Sequence, residues 1–402
     1  MDKAIAATST RIRSIDILRG MVMIIMALDH TRDFFHIQAA TDDPLNLQTT
    51  TPALFFTRWI THFCAPVFTF LAGTSGYLQG MRKERSYLSR FLITRGLWLI
   101  IVDAVVMTFA FSFDPQYHFI GLQTLWAIGS SMVILGLMIW LPLPVIFVTG
   151  LLIVLGHNAL DFYEKTLGAG FGFKSPGWWY DFLHHPNMEP FFKDHNVLIL
   201  YPILSWSGLM MLGYSFGKIV SDVDPEKRKR NLIIIGSVAV SLFIVIRYIN
   251  IYGDPDPWSP QARGATYTFL SFLNVHKYPP SLLYMLVTVG PSMFFLAFCG
   301  ERQNAFKRFV SVYGRVPFFY YILHFFLLHS MTMIYFFIRG HAFAEGITPQ
   351  GLVPFFTIPG EGLPLWGVYL VWILAVLLLY PVCRWYDKYK AAHKNNKWLS
   401  YL

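Results

Sequence analysis

The sequence predicts an all-α fold, a polytopic integral membrane bundle of about ten transmembrane helices with both termini cytoplasmic, and three observations carry that prediction. Of 402 residues, 55% are hydrophobic and only 14% charged, against about 25% charged in a soluble domain; the mean hydropathy is +0.46. The apolar residues are gathered into runs near the roughly 20 residues a helix needs to cross about 30 Å of hydrocarbon. Basic residues sit in alternate loops between those runs, so the net charge of +9 reads as membrane orientation and not as a nucleic-acid footprint.

Taken in order, the first run, 15–36, follows the short mixed stretch "MDKAIAATSTRIRS", which has no cleavable signal pattern, so it reads as an uncleaved first helix. The second, 54–80, holds Pro66, Gly73, Gly76 and Gly80, which favour a kink and close helix contact. After the basic loop "MRKERSYLSR" comes 91–111. The runs 122–141 and 143–160 are joined only by the tight turn "LPLP". Beyond a loop at 161–195 rich in Trp, Tyr, His and Pro lie 197–217 and then, past "DPEKRKR", 231–251. A second poorly basic loop, 252–280, precedes 281–300; "ERQNAFKR" then leads to 316–338, and 365–383 is followed by "RWYDKYKAAHKNNK".

The excess of Lys and Arg on one side, Arg11 and Arg13 included, predicts that the side is cytoplasmic. Trp178, Trp179, Trp366 and Tyr380 fall at span ends, as an interfacial aromatic belt requires. No internal repeat or linker divides the chain, so residues 1–402 read as one domain with cytoplasmic tails at 1–10 and 384–402. Cys64, Cys299 and Cys383 have no CxxC spacing, and the loop "FLHHPNMEPFFKDH" has no HExxH pattern, so no metal is expected.

The first run is unusually charged. Asp16 and Arg19 stand at its entrance and Asp29, His30, Arg32 and Asp33 at its exit. At about 100° per residue Arg19 and His30 return to within roughly 20° of one face, some 16 Å apart along the axis. Asp33 shares the face of His30, and Asp29 lies about a quarter-turn away. The second run brings His62 to a comparable depth, with Arg58 one turn outward. Ionisable residues inside a span are costly and line cavities or pathways.

At these residues the chain resembles a known family. "RSIDILRGMVMIIMALDH" is similar to the first-helix signature of heparan-alpha-glucosaminide N-acetyltransferase and its bacterial relatives, and the Arg-to-His spacing is similar to that of integral-membrane O-acetyltransferases of bacterial surface glycans. "FCAPVFTFLAGTSG" resembles the "FPxFxFxxGxS" segment of the glucosaminide enzymes, and "HKYPPSLLYMLVTVGP" and "YGRVPFFYYILHFFLLH" resemble the family's late helices. The resemblance implies a transmembrane acyltransferase, functional roles for Arg19 and His30, a sugar in a glycan or glycolipid as acceptor, and a bacterial inner membrane as location. The chain departs from the glucosaminide enzymes where they carry Asn in place of His30, and in "TTTPALFFTRW", which lacks the histidine they hold ahead of the second span. Heparan itself is therefore not implied as the acceptor.

Acyl transfer needs a base, an oxyanion stabiliser and a grip on the donor. The catalytic candidates are His30, Asp29, Asp33 and His62, with Asp29 or Asp33 available to orient the His30 ring. Arg19 and Asp16 are candidates for the donor end, where acetyl-CoA or another acyl-CoA would be held. Arg32, Arg58, Lys277, Tyr278 and His324 are candidates for the acceptor side or the cavity lining; His324 and His329, about 140° apart on a helix, do not face one point. Histidine 30 suits either direct base catalysis or a covalent acyl-histidine route. The expected partners are membrane lipids, acyl-CoA and a glycan or glycolipid acceptor, with no nucleic acid and no metal. The competing reading is a proton-coupled transporter built on the same buried His, Asp and Arg residues; it lacks paired Gly/Pro-broken spans in two corresponding halves.

Overall fold

The computed structural model describes residues 13–168, 175–222, 224–300, 304–347, 354–393, 396 and 399. The expected tail 1–10, Arg11, the residues 301–303 and part of the C-terminal tail lie outside them.

Helix α1 runs from Arg13 to Phe35, with most of its residues buried. A loop leads to α2, Pro52–Trp59, whose N-terminus is capped by the Thr51 hydroxyl. A 3-10 turn, Ile60–Phe63, joins α2 to α3, Cys64–Gly80. Helix α4, Arg85–Ile101, passes through a π-helical turn, Val102–Met107, into α5, Thr108–Ser112. Strand β1, Phe119–Leu122, leads into α6, Thr124–Met138; then follow α7, Leu143–Gly156, α8, Ala159–Thr166, and α9, Trp178–Leu183. Strands β2, Asn187–Phe192, and β3, His195–Ile199, precede α10, Ile203–Val220, and α11, Pro225–Ile249. The remaining helices are α12, Ala265–Leu273, α13, Leu282–Phe298, α14, Ala305–Arg315, α15, Pro317–Ile338, and α16, Leu365–Ala392.

Helices thus occupy each of the ten expected stretches, and among the described residues six continuous helical segments are long and apolar enough to cross a bilayer: Pro52–Gly80, Arg85–Ser112 and Leu143–Thr166, each built of consecutive helices, and α11, α15 and α16; α6 and α13 are apolar but shorter. Their outward faces are apolar: Ile234, Val238 and Val245 on α11 and Leu370, Leu374 and Leu377 on α16 are exposed. In water such faces would be aggregation surfaces, and against lipid tails they are at home.

Lipid tails are as apolar as the helices, so close backbone packing holds the bundle. Helix α1 packs against α3, α14, α15 and α16. At its crossing with α14, a Cβ on Gly20 would stand 2.0 Å from the Val310 carbonyl oxygen and one on Gly314 1.8 Å from that of Asp16. Gly73 of α3 and Gly213 of α10 make a second such crossing.

The expected loop at 161–195 contains more structure than its composition suggests. Strand β3 pairs parallel with β1 and antiparallel with β2, a three-stranded sheet among the described residues. Nearby, Asp103 in the π-helical turn accepts from the Gln123 N–H at 2.6 Å and the Trp126 N–H at 2.9 Å, capping α6 across helices. Arg247, 1% exposed at the end of α11, donates to the carbonyls of Ser271, Phe272, Asn274 and Asp256. That one guanidinium shapes the 252–276 loop, which delivers Lys277 to the site.

Candidate active site

Two polar groupings meet on α1. The first surrounds Asp29, which is buried. Arg58 Nη1 donates to its Oδ2 at 2.6 Å, Arg32 Nη1 lies 3.0 Å from its Oδ1, and Lys277 Nζ approaches at 3.9 Å. Arg32 also pairs with Asp33. Three cations therefore converge on two carboxylates, of which only Asp29 is buried. Tyr278 lies under the Lys277 ammonium, 5.1 Å from its ring centroid.

The second grouping is a histidine pair. His30 Nδ1 lies 2.7 Å from Nε2 of His324, and His324 Nδ1 lies 3.1 Å from the Tyr320 carbonyl oxygen. A carbonyl can only accept, so His324 Nδ1 donates to it. In the neutral ring Nε2 then carries the lone pair, and His30 Nδ1 must donate to that lone pair. The tautomers assigned from this network leave Nε2 of His30 as an unprotonated lone pair. His324 is fully buried and His30 is half-buried. Phe325 lies against the His30 ring at 4.2 Å between centroids, and Tyr321 meets it edge-on at 6.5 Å.

Below this pair, toward the N-terminal end of α1, lies a cavity of about 310 Å³. Arg19, Ser75, Gln79 and Arg95 line one part of it, and Met23, Thr124 and Tyr321 the deeper part. Arg19 donates to the Leu71 carbonyl at 3.0 Å and to the Ser75 hydroxyl, which fixes its guanidinium at the cavity wall. The cavity is predominantly apolar with a few polar groups at its edge, the usual character of a small-molecule site.

The structure thus brings together Asp29, Arg32, Arg58 and Lys277, and separately His30 and His324. Neither Asp29 nor Asp33 orients the His30 ring, contrary to expectation: Asp29 is taken up by three cations, Asp33 turns to Arg32, and the ring partner is His324 on α15. His62 does not join either grouping. It lies in the 3-10 turn Ile60–Phe63 and packs beside Tyr284, 5.1 Å between ring centroids. Pro66 has no N–H to give the His62 carbonyl four residues earlier, and the Tyr284 hydroxyl supplies that hydrogen bond at 2.9 Å. Neither ring nitrogen of His62 has a hydrogen-bond partner among the described residues. Asp16 is buried where α1 meets α14 and does not line the cavity that Arg19 lines. His329 faces away from His324, toward the carbonyls of Ala110 and Phe355.

Sequence reasoning passed over Arg95, Ser75 and Gln79. Arg95 had a visible signal, a lone guanidinium within an apolar run.

An imidazole pair between α1 and α15 and a cavity bordered by the Arg19 guanidinium thus lie within one bundle of apolar helices. The catalytic-domain family of heparan-alpha-glucosaminide N-acetyltransferase matches residues 11–247. That span exceeds half the chain, and the chain belongs to this family. It includes α1 to α10 and most of α11, hence Arg19, His30, Arg58 and His62, while Lys277 and His324 lie beyond it. A search of curated proteins finds no match.

Proposed function

We propose that this chain moves an acetyl group from acetyl-CoA, held in the cavity beside Arg19 on the cytoplasmic side, to a hydroxyl or amine of a sugar or glycolipid on the outer side, with His30 as the reacting group. The observation that carries this reading is the relay Tyr320 carbonyl–His324–His30, which leaves His30 Nε2 as a lone pair one layer beyond Tyr321 and the cavity. Family membership supports acetyl transfer and acetyl-CoA as the general co-substrate, and the basic loops support a cytoplasmic donor side.

As the acceptor attacks the thioester carbonyl, its proton passes to His30 Nε2. The resulting imidazolium keeps its Nδ1–H on His324, whose own N–H is held by the Tyr320 carbonyl. When the tetrahedral intermediate collapses, the thiol of coenzyme A leaves and takes that proton. The cations about Asp29 create a positive field on the outer side of His30 that favours developing negative charge.

The polar groups about Asp29 and His30 both meet on α1, which supports one localised site over the transporter reading. The experiment incubates purified protein with radiolabelled acetyl-CoA and lipid or glycan extracts. Label recovered in a glycan or glycolipid supports the proposal. An absence of transfer, together with no calorimetric binding of coenzyme A to folded protein, would contradict it.

A further inference from the structure

One side chain belongs both to the cavity and to the surroundings of the histidine pair. Helix α15 sends Pro317, Tyr321 and His324 along one face, at i, i+4 and i+7. Pro317 and Tyr321 line the cavity, and His324 lies against His30 at 2.7 Å. Helix α1 repeats the order beside it: Arg19 and Met23 line the cavity, and His30 follows Met23 by about two turns. The two stripes meet at Tyr321. Its buried ring stands edge-on to His30, 6.5 Å between centroids, and 5.5 Å from the ring of His324. Of the three described rings against His30, those of Tyr321, His324 and Phe325, that of Tyr321 is the one on the cavity wall.

This position decides what the phenol can touch. For His30 Nε2 to take the proton of the attacking group, the carbon under attack must be one bond from the atom that loses it, so a donor lying in the cavity has its thioester carbonyl beside Tyr321. Attack moves the C=O electron pair onto oxygen, and a negative oxygen in apolar surroundings calls for a hydrogen-bond donor already in place. Among the described residues, the deeper part of the cavity draws its side-chain donors from Tyr321 and Thr124, while Arg19, Ser75, Gln79 and Arg95 line the other part. Arg32, Arg58 and Lys277 do not line it.

Thr124 also hydrogen-bonds the Tyr321 phenol. It is the first residue of α6, whose opening turn is fixed by the bonds from the Gln123 and Trp126 N–H groups to Asp103. A threonine hydroxyl can donate to the phenol oxygen, which leaves the phenol O–H to donate into the cavity.

We propose that Tyr321 is the oxyanion donor of the acetyl transfer, with Thr124 as the positioning residue of its phenol. The inference rests on the acyl-transfer reading above. As the acceptor oxygen or nitrogen bonds to the carbonyl carbon and its proton passes to His30 Nε2, the C=O pair moves to oxygen, and that oxygen accepts a hydrogen bond from Tyr321. Collapse restores C=O and breaks the C–S bond, and the departing thiolate takes the proton from His30. Tyr321 keeps its own proton throughout.

The test compares single-turnover transfer from saturating radiolabelled acetyl-CoA to the lipid or glycan extract, using the full chain, with coenzyme A calorimetry and thermal melting alongside. Tyr321→Phe keeps the ring against His30 and removes only the hydroxyl. Loss of one oxyanion donor costs about 10²- to 10³-fold in rate. A fall in that range is expected, with the affinity for free coenzyme A and the pH dependence of the rate unchanged, since free coenzyme A lacks the thioester carbonyl and His30 keeps its partner. Tyr313→Phe removes a phenol that donates to the Val376 carbonyl at 2.7 Å between α14 and α16; it should lower the melting temperature and leave the rate unchanged. Should Tyr321→Phe fail to fold, Thr124→Val decides in its place, with a fall of about tenfold or more expected. Wild type that transfers no acetyl overturns this inference together with the proposed function. Wild type that transfers while the folded deciding variant matches its rate overturns the role of Tyr321 alone. A Tyr321→Phe protein whose coenzyme A affinity falls as far as its rate would also overturn it, showing a grip on the donor in place of oxyanion stabilisation.

Discussion

Replacing His324 with Phe removes the acceptor for the His30 Nδ1–H, now satisfied at 2.7 Å inside the bundle, and it leaves the ring contacts with Tyr321 and Phe325 largely in place. A buried donor stripped of its partner costs about 1–3 kcal/mol. Since about 1.36 kcal/mol corresponds to tenfold in rate, loss of that orientation should slow acetyl transfer about 5- to 150-fold. The His30 ring also loses the bond that selects its tautomer, so part of the population presents N–H where the lone pair should be. His324→Gln has a side-chain oxygen able to accept the same N–H and should recover much of the rate. The assay is single-turnover transfer from radiolabelled acetyl-CoA, with thermal melting to verify the fold. A folded His324→Phe protein working at the wild-type rate would refute the positioning role, and equal defects in the Phe and Gln variants would show that packing alone was lost.

Asp29→Asn leaves Arg32, Arg58 and Lys277 around a neutral amide and should destabilise the fold by about 3–5 kcal/mol, as breaking a buried ion pair does, whereas Asp33→Asn, whose side chain is 42% exposed, should cost about 0–1 kcal/mol; denaturant titration in detergent compares them. His276, in the loop outside the spans, is pushed up to about 9: burial opposes its charge, and the hydrogen bond to Asp256 with the fields of Asp256 and Asp254 outweighs that. Its folded value lies above its ordinary one, so its contribution to stability is complete below about pH 6.5 and is lost as pH rises through about 9. Thermal midpoints should fall across that window in wild type, and Asp256→Asn should flatten the fall. If coenzyme A phosphates meet Arg19 and Arg95, its affinity measured by calorimetry should weaken with rising salt and fall further in Arg95→Ala.

The helical bundle was legible because each apolar run reports its own environment: a stretch such as 231–251 is lipid-facing whatever its neighbours do. The charged stripe of α1 was legible for the same reason, since residues eleven apart share a face on any helix. Partnerships between helices were not. His30 meets a residue 294 positions away, and Asp29 finds Arg58 and Lys277 only after three segments pack. The 3-10 turn that carries His62 was not legible either, since nothing in "RWITHF" signals it before Pro66 is considered. The small sheet escaped notice because its strands are four to six residues long and come from separate stretches, β1 just ahead of α6 and β2 and β3 around the end of an aromatic-rich loop.

If the His30 lone pair takes the acceptor's proton, His30→Ala should remove the base and leave the donor site intact. Purified wild-type and variant proteins, matched in melting temperature, are given radiolabelled acetyl-CoA and the labelled acceptor fraction, and the single-turnover rate is compared. Loss of a general base costs about 10²- to 10⁴-fold in rate, and a fall in that range is expected, with coenzyme A affinity unchanged. Transfer by folded His30→Ala at the wild-type rate would contradict it.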